Sequence, residues 1–236
     1  MAKIILDPGH GGKDPGASGN GVIEKEVTLD LAFRTKDKLL KNYEGVEIIL
    51  TRSSDTYISL EDRAKIANDA NADYFHSIHI NAAENLAAKG YEDYIHSSLT
   101  DDSKTAKIRD VIHEEIINYL KNYGIVDRGK KKADFAVLRL TKMSAVLTEN
   151  LFLTNPEESE LLKNDSFLDG LADAHAKGIA KALNLPQKAN TPTTVAQSNV
   201  LWLVQLGAFK NKENAERLAA ELKSKGYSVF IKKETR

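Results

Sequence analysis

The chain of 236 residues contains no cysteine and a single tryptophan. Without thiols it can form neither a disulfide framework nor a thiolate metal site, so any zinc it binds must be held by histidine and carboxylate. An excess of one charge is also missing, with 33 Lys and Arg set against 34 Asp and Glu. Nucleic-acid binding as the main activity is disfavoured by that balance, because phosphate contacts need a local surplus of basic groups. The one basic run, Arg128 to Lys132, reads as a solvated loop. Nor is there an apolar run approaching the ~20 residues that cross a bilayer.

What is present suits a globular core. The sequence is 42% hydrophobic, enough for one full-sized domain with a smaller appendage. Strand-like runs at Lys3 to Asp7, Val46 to Thr51, Asp73 to Ile80, Tyr91 to His96, Ala136 to Arg139 and Ala145 to Glu149 alternate with apolar residues at helical spacing. The helical stripes include Leu29, Ala32, Phe33 and Leu40, then Leu60, Ala64 and Ala67, then Ile108, Ile112 and Ile116, and finally Leu168, Leu171, His175 and Ile179. The alternation predicts an α/β fold: a twisted, mostly parallel or mixed sheet with helices on both faces, spanning residues 1–185. Residues 186–199 have a linker composition. Residues 200–236 read as a small C-terminal βαβ unit, with strands at Leu201 to Leu206 and Tyr227 to Ile231 around a helix carrying Ala215, Leu218, Ala219 and Leu222. So short a unit can hardly bury enough surface alone, and a second copy of the chain could supply the missing half as a homodimer.

Four groups carry the chemistry. Asp7-Pro8-Gly9-His10-Gly11-Gly12 leaves the first strand at once, and its glycines allow a sharp turn at the carboxyl edge of the sheet, where open α/β folds place their sites. A histidine in such a turn serves as a hydrogen-bonding loop residue as readily as a ligand. His76 and His79 lie on a strand with opposite facing, so both cannot bind one metal. His79 is at the carboxyl end, and His76, deeper in the strand, reads as a satisfied buried residue. A carboxylate would complete two histidines and one acid, the donor set of a hydrolytic zinc. Glu24 and Glu26 are both near, and spacing does not decide between them; Glu26 also suits the positive end of a helix dipole. Glu149 ends the apolar run Ala145-Val146-Leu147-Thr148, a poor place for a carboxylate unless it serves a cation or a proton transfer.

These residues, with Glu24-Lys25-Glu26-Val27-Thr28-Leu29, Thr51-Arg52, Leu60-Glu61-Asp62-Arg63-Ala64, Ser77-Ile78-His79-Ile80-Asn81-Ala82, Arg128-Gly129 and Val146-Leu147-Thr148-Glu149-Asn150-Leu151-Phe152, resemble the zinc-dependent N-acetylmuramoyl-L-alanine amidases of the Amidase_3 type. The resemblance covers residues 1 to about 185. It implies one Zn2+ per chain held by His10, Glu24 and His79, with Glu149 as the catalytic carboxylate. It also implies hydrolysis of the amide joining N-acetylmuramic acid to the L-alanine of the peptidoglycan stem peptide. Arg52 and Asn81 lie close to these motifs and are read as assisting or supporting residues. One departure is Ser144, which stands where the family usually has proline.

The run Leu203-Val204-Gln205-Leu206-Gly207-Ala208-Phe209 and the helix after it resemble half of a SPOR repeat, a type that binds glycan strands stripped of peptide. Peptidoglycan is therefore the expected partner, with glycan binding assigned to residues 200–236. The expected alternatives are a zinc peptidase trimming stem peptides and a non-catalytic wall-binding protein. No signal peptide is read before the first strand, so the protein is expected to be made in the cytoplasm and to reach the wall after lysis or holin-type release.

Overall fold

The computed structural model describes residues 1–189 and 211–224, with Val229 and Ile231. The chain divides into two compact units, Met1–Ala189 and Asn190–Arg236.

In the first unit the strands are β1 (Ala2–Pro8), β2 (Ser18–Gly19), β3 (Val22–Ile23), β4 (Val46–Leu50), β5 (Tyr74–Asn81), β6 (Tyr91–His96), β7 (Asp127–Ala133) and β8 (Ser144–Phe152). The helices are α1 (Glu24–Asn42), α2 (Leu60–Asp69), α3 (Lys104–Leu120), α4 (Ala136–Leu140), α5 (Pro156–Leu162) and α6 (Asp165–Ala182). Six strands form one sheet in the order β4-β1-β5-β8-β6-β7, and β2 pairs with β3 as a short hairpin. Within the six-stranded sheet only the β6–β8 pairing is antiparallel. The mostly parallel sheet expected from the sequence is thus present.

Side chains alternate across the sheet and build two cores. Ile4, Leu6, Tyr74, Ile78 and Val146 pack with α1, α3 and α6, among them Leu31, Ile112, Phe167 and Ile179. Their neighbours Ile5, Phe75, Ala145 and Leu147 point the other way and pack with Ala67 of α2 and Val137 and Leu138 of α4. Period-two burial on both faces explains why these strands read as nearly continuous apolar runs. Each large side chain so buried contributes about 1.5–3 kcal/mol against exposure.

Two expectations are corrected. Ala136 to Arg139, read as a strand, is the helix α4; a short apolar run has no periodicity to separate the two, and the helical turn buries Val137 and Leu138 while Arg139 pairs with Asp134 at 2.6 Å. Arg128 to Lys132, read as a loop, lies in the edge strand β7. Its cations are not free: Lys130 pairs with Asp110, Lys132 with Asp101, and Arg128 and Lys131 with Glu92. Lysines on an edge strand discourage pairing with another chain, which is a reason for charge there other than solvation of a loop.

Residues 186–189 do not leave the first unit. Glu44 donates its N–H to the Pro186 carbonyl at 2.8 Å and Lys188 donates to Asn42 at 2.9 Å, tying this segment to the end of α1. In the second unit α7 (Lys212–Ser224) forms where the helix stripe was expected. The strands expected at 201–206 and 227–231 lie outside the described residues, apart from Val229 and Ile231, and the homodimer expectation rests on the same segment. No helix among the described residues is long and apolar enough to cross a membrane.

Candidate metal centre

The carboxyl edge of β1 is where the chain order of the sheet divides, β4 lying on one side and β5 on the other. Ligand sites of open α/β sheets form at such points. The turn after β1 is shaped by Gly9, whose N–H still donates to Ile78 on β5 at 2.9 Å. A Cβ at Gly9 would lie 2.4 Å from the His79 ring, so no other residue lets that ring close over the turn. His10 itself adopts a left-handed backbone, φ 60°, uncommon for a residue with a Cβ.

Two buried guanidinium groups hold this strained turn. Arg63 donates to the Asp7 carboxylate at 2.8 Å and to the carbonyls of Pro8 and His10. Arg52 donates to the carbonyls of Pro8 and Gly9 at 3.1 and 2.8 Å and to that of Lys25 at 2.8 Å. Burial, aided by the nearby Arg63 charge, pushes the Arg52 pKa down to about 10. The support expected of Arg52 is therefore a clamp joining the turn to α1. The Asn81 side chain donates to Glu92 at 2.8 Å and makes no hydrogen bond to His10, Glu24 or His79, so its role is to hold Glu92.

His10, Glu24 and His79 converge. His10 Nε2 is 3.2 Å and His79 Nδ1 3.1 Å from the same atom, Glu24 Oε1, and one donor atom from each residue lies within 4.8 Å of the others. Spacings of this size are close to the roughly 3.3 Å edge of a tetrahedron with ~2.0 Å ligand bonds, so the donor set fits zinc. Glu24 is buried at the start of α1, its Oε2 accepting from Ala17 at 2.9 Å; Glu26 is exposed. Burial alone would raise the Glu24 carboxyl, but hydrogen bonds from both histidines hold it well below the usual range. Burial works against protonated His10 as well, yet Glu24 and Asp14 raise it to about 9. Asp14, which accepts at 2.9 Å from His10 Nδ1, fixes the ring so that Nε2 faces Glu24. Its only sequence signal was its place four residues after His10.

Glu149 sits directly across the β5–β8 pairing from His79. Its Oε2 is buried without a hydrogen-bond partner, and burial raises its pKa to about 7, with Glu24 adding to the shift and His79 opposing it. Beyond it the strand is irregular: Asn81 pairs with Phe152, and Leu151 takes a left-handed backbone, φ 68°. The one extra residue of this bulge lets β8 bend just beyond Glu149.

His76 belongs to a separate network. Asn150 Nδ2 donates to the His79 carbonyl at 3.0 Å, which leaves Asn150 Oδ1 to accept from His175 Nε2 at 2.9 Å. His175 Nδ1 must then accept from His76 Nε2, and His76 Nδ1 from the Tyr74 hydroxyl, each at 2.9 Å. Burial lowers the pKa of both histidines, that of His76 to about 3.

Comparison with known proteins agrees with this picture. The family model for N-acetylmuramoyl-L-alanine amidase matches residues 4–181, and the SPOR domain model matches residues 198–236. N-acetylmuramoyl-L-alanine amidase CwlM of Bacillus licheniformis is 44% identical over 98% of this chain and 85% of its own length. The sporulation-specific N-acetylmuramoyl-L-alanine amidase of Bacillus subtilis is 42% identical over 98% of this chain and 84% of its own. The endolysin of Bacillus phage SPP1 is 49% identical over 80% of this chain and 69% of its own. Among solved structures, the catalytic domain of the amidase CwlV from Paenibacillus polymyxa superposes with TM-score 0.72 at 34% identity, covering 78% of this chain and 99% of that domain. On the extent and order of these matches, the chain belongs to the N-acetylmuramoyl-L-alanine amidase family.

Proposed function

We propose that the chain is a zinc hydrolase that cleaves the amide between N-acetylmuramic acid and the L-alanine of the peptidoglycan stem peptide. One zinc ion is held by His10 Nε2, His79 Nδ1 and Glu24. The observation that carries the reading is the convergence of these three groups beside Glu149, whose Oε2 is buried and without a partner. When bound, zinc polarises the scissile carbonyl and acidifies the attacking water.

The protein's own groups supply the rest. Asp14 orients His10, and the Arg52 and Arg63 clamps keep the turn after β1 from relaxing. Glu149, raised to about 7, accepts a proton from the attacking water and passes it to the nitrogen of the leaving alanine. A carboxylate with an ordinary pKa would take the proton less readily. We assign residues 1–185 to catalysis and residues 200–236, joined by the segment 186–199, to retention on glycan strands, in keeping with the SPOR match. The protein acts at the cell wall.

Product analysis on purified cell walls tests the reaction. The expected products are whole stem peptides with a free alanine amine and intact glycan, their release stopped by a chelator and restored by zinc. Cleavage within the peptide would establish a peptidase instead. Removal of residues 190–236 is expected to reduce retention on walls and to leave hydrolysis of a soluble muramoyl peptide intact.

A further inference from the structure

Beside Glu149 lies a group of charges that the proposed reaction does not use. The antiparallel pairing of β6 with β8 puts Glu92 directly opposite Glu149, so the two carboxylates share a face of the sheet. Glu92 is buried, with 3% of its surface exposed, and its two oxygens are fully engaged. Oε1 accepts from Asn81 and from the Tyr94 hydroxyl, both at 2.8 Å. Oε2 accepts from Arg128 at 2.7 Å and from Lys131. Burial would raise the Glu92 carboxyl, but these donors hold it down to about 2.

Two cations over one carboxylate leave a net positive charge, and most of their donors remain unspent. Arg128 uses Nε on Glu92 and touches the Lys89 carbonyl with one further nitrogen at 3.4 Å; Lys131 is joined to Glu92 alone. Each is about one-third exposed. Their charged ends also meet aromatic rings, the Arg128 guanidinium 4.8 Å from the centre of Phe152 and the Lys131 ammonium 5.9 Å from that of Tyr94. Lys130 and Lys132, on the other side of β7, are matched instead by Asp110 and Asp101. The surplus is therefore confined to the side of β7 that faces the strand of Glu149.

We propose that Arg128 and Lys131 determine specificity by binding a free carboxylate of the peptide leaving group. The inference rests on the amidase reading above, in which the group that departs from Glu149 is a peptide and so carries carboxylate charge. A planar guanidinium with unspent N–H donors suits a carboxylate, and a nearby ammonium adds charge without demanding geometry. The buried Glu92 keeps both cations in place between turnovers, so that little side-chain entropy is lost when the peptide arrives.

The experiment compares a soluble muramoyl peptide bearing free carboxylates with the same compound converted to carboxamides. Wild-type protein is expected to lose about tenfold in kcat/KM on amidation, the size of one charge-assisted contact, mainly through KM. A triple variant, E92Q with R128M and K131M, removes the cations together with the buried charge they neutralise, and is expected to cleave both compounds at the same reduced rate. Should that variant not fold, K131M retains the Arg128–Glu92 pair and is expected to lose part of the preference. An undiminished preference in whichever variant folds, or no preference in wild type, overturns the proposal while leaving the amidase reading intact. Failure of wild type to cleave either compound with zinc present overturns both.

Discussion

Two pairs of histidines, each with one member on β5, have opposite fates. His10 and His79, at the carboxyl edge, meet at a single oxygen of Glu24, and both are drawn toward the protonated form despite burial. His76 on β5 and His175 on α6 meet each other and are held neutral. Residue type does not distinguish them, and neither does depth alone. The distinction comes from the partner: a carboxylate makes a place for a cation, whereas a hydroxyl and an amide settle the tautomers of two uncharged rings.

The largest effect that could break this division is at the edge. His79→Ala is expected to bind no zinc and to show no measurable hydrolysis; metal analysis finding one zinc per chain in the variant would remove His79 from the ligand set. Glu149→Ala is expected to keep its zinc and lose about 100- to 10,000-fold in kcat, the range of general acid–base catalysis. Wild-type turnover in that variant would end the assignment of Glu149.

Changes to the inner pair should sharpen the contrast by acting on stability. His175→Ala removes the partner of both His76 Nε2 and Asn150 Oδ1, each buried, at about 1–3 kcal/mol apiece, and zinc content is expected to remain at one per chain. Denaturant unfolding and metal analysis of the same sample decide whether the two regions separate in this way. The smallest expected effect is a pH dependence. The inner histidines bind protons more weakly in the folded state than the ordinary 6.5, so the unfolded chain takes up protons first as pH falls. Stability should decline from pH 6.5 downward, by at most about 1.4 kcal/mol per pH unit for each histidine. In metal-free protein His10 and His79, shifted the other way, are protonated in both states well below 6.5 and cannot produce that slope. An equal decline in the His175→Ala variant would assign it to other groups.

The sequence disclosed the ends of this arrangement better than its interior. His10 and His79 were legible because a glycine turn and a strand's carboxyl end have fixed places in an α/β fold, and His76 because alternation set it apart. Glu24 and Glu26 are equally near in sequence, and only the family motif separated them; in space the helix turns Glu24 inward and Glu26 to solvent. Arg63 was within a recognised motif but gave no sign of the three acceptors it finds on β1 and in the turn after it. Glu92 escaped notice because its importance depends on β6 running against β8, and strand direction is not written in local sequence. For the same reason β7 passed as a loop: what orders its lysines lies on α3, on β6 and in the turn before α3.

The chain of hydrogen bonds from Tyr74 through His76 and His175 to Asn150 ends on the carbonyl of His79. Its two imidazole N–H protons are sealed from solvent, so they should exchange slowly and give separate downfield proton resonances in the intact protein. Because the last link is to a residue proposed to bind zinc, those signals should provide a spectroscopic gauge of zinc loading that requires neither substrate nor an added label.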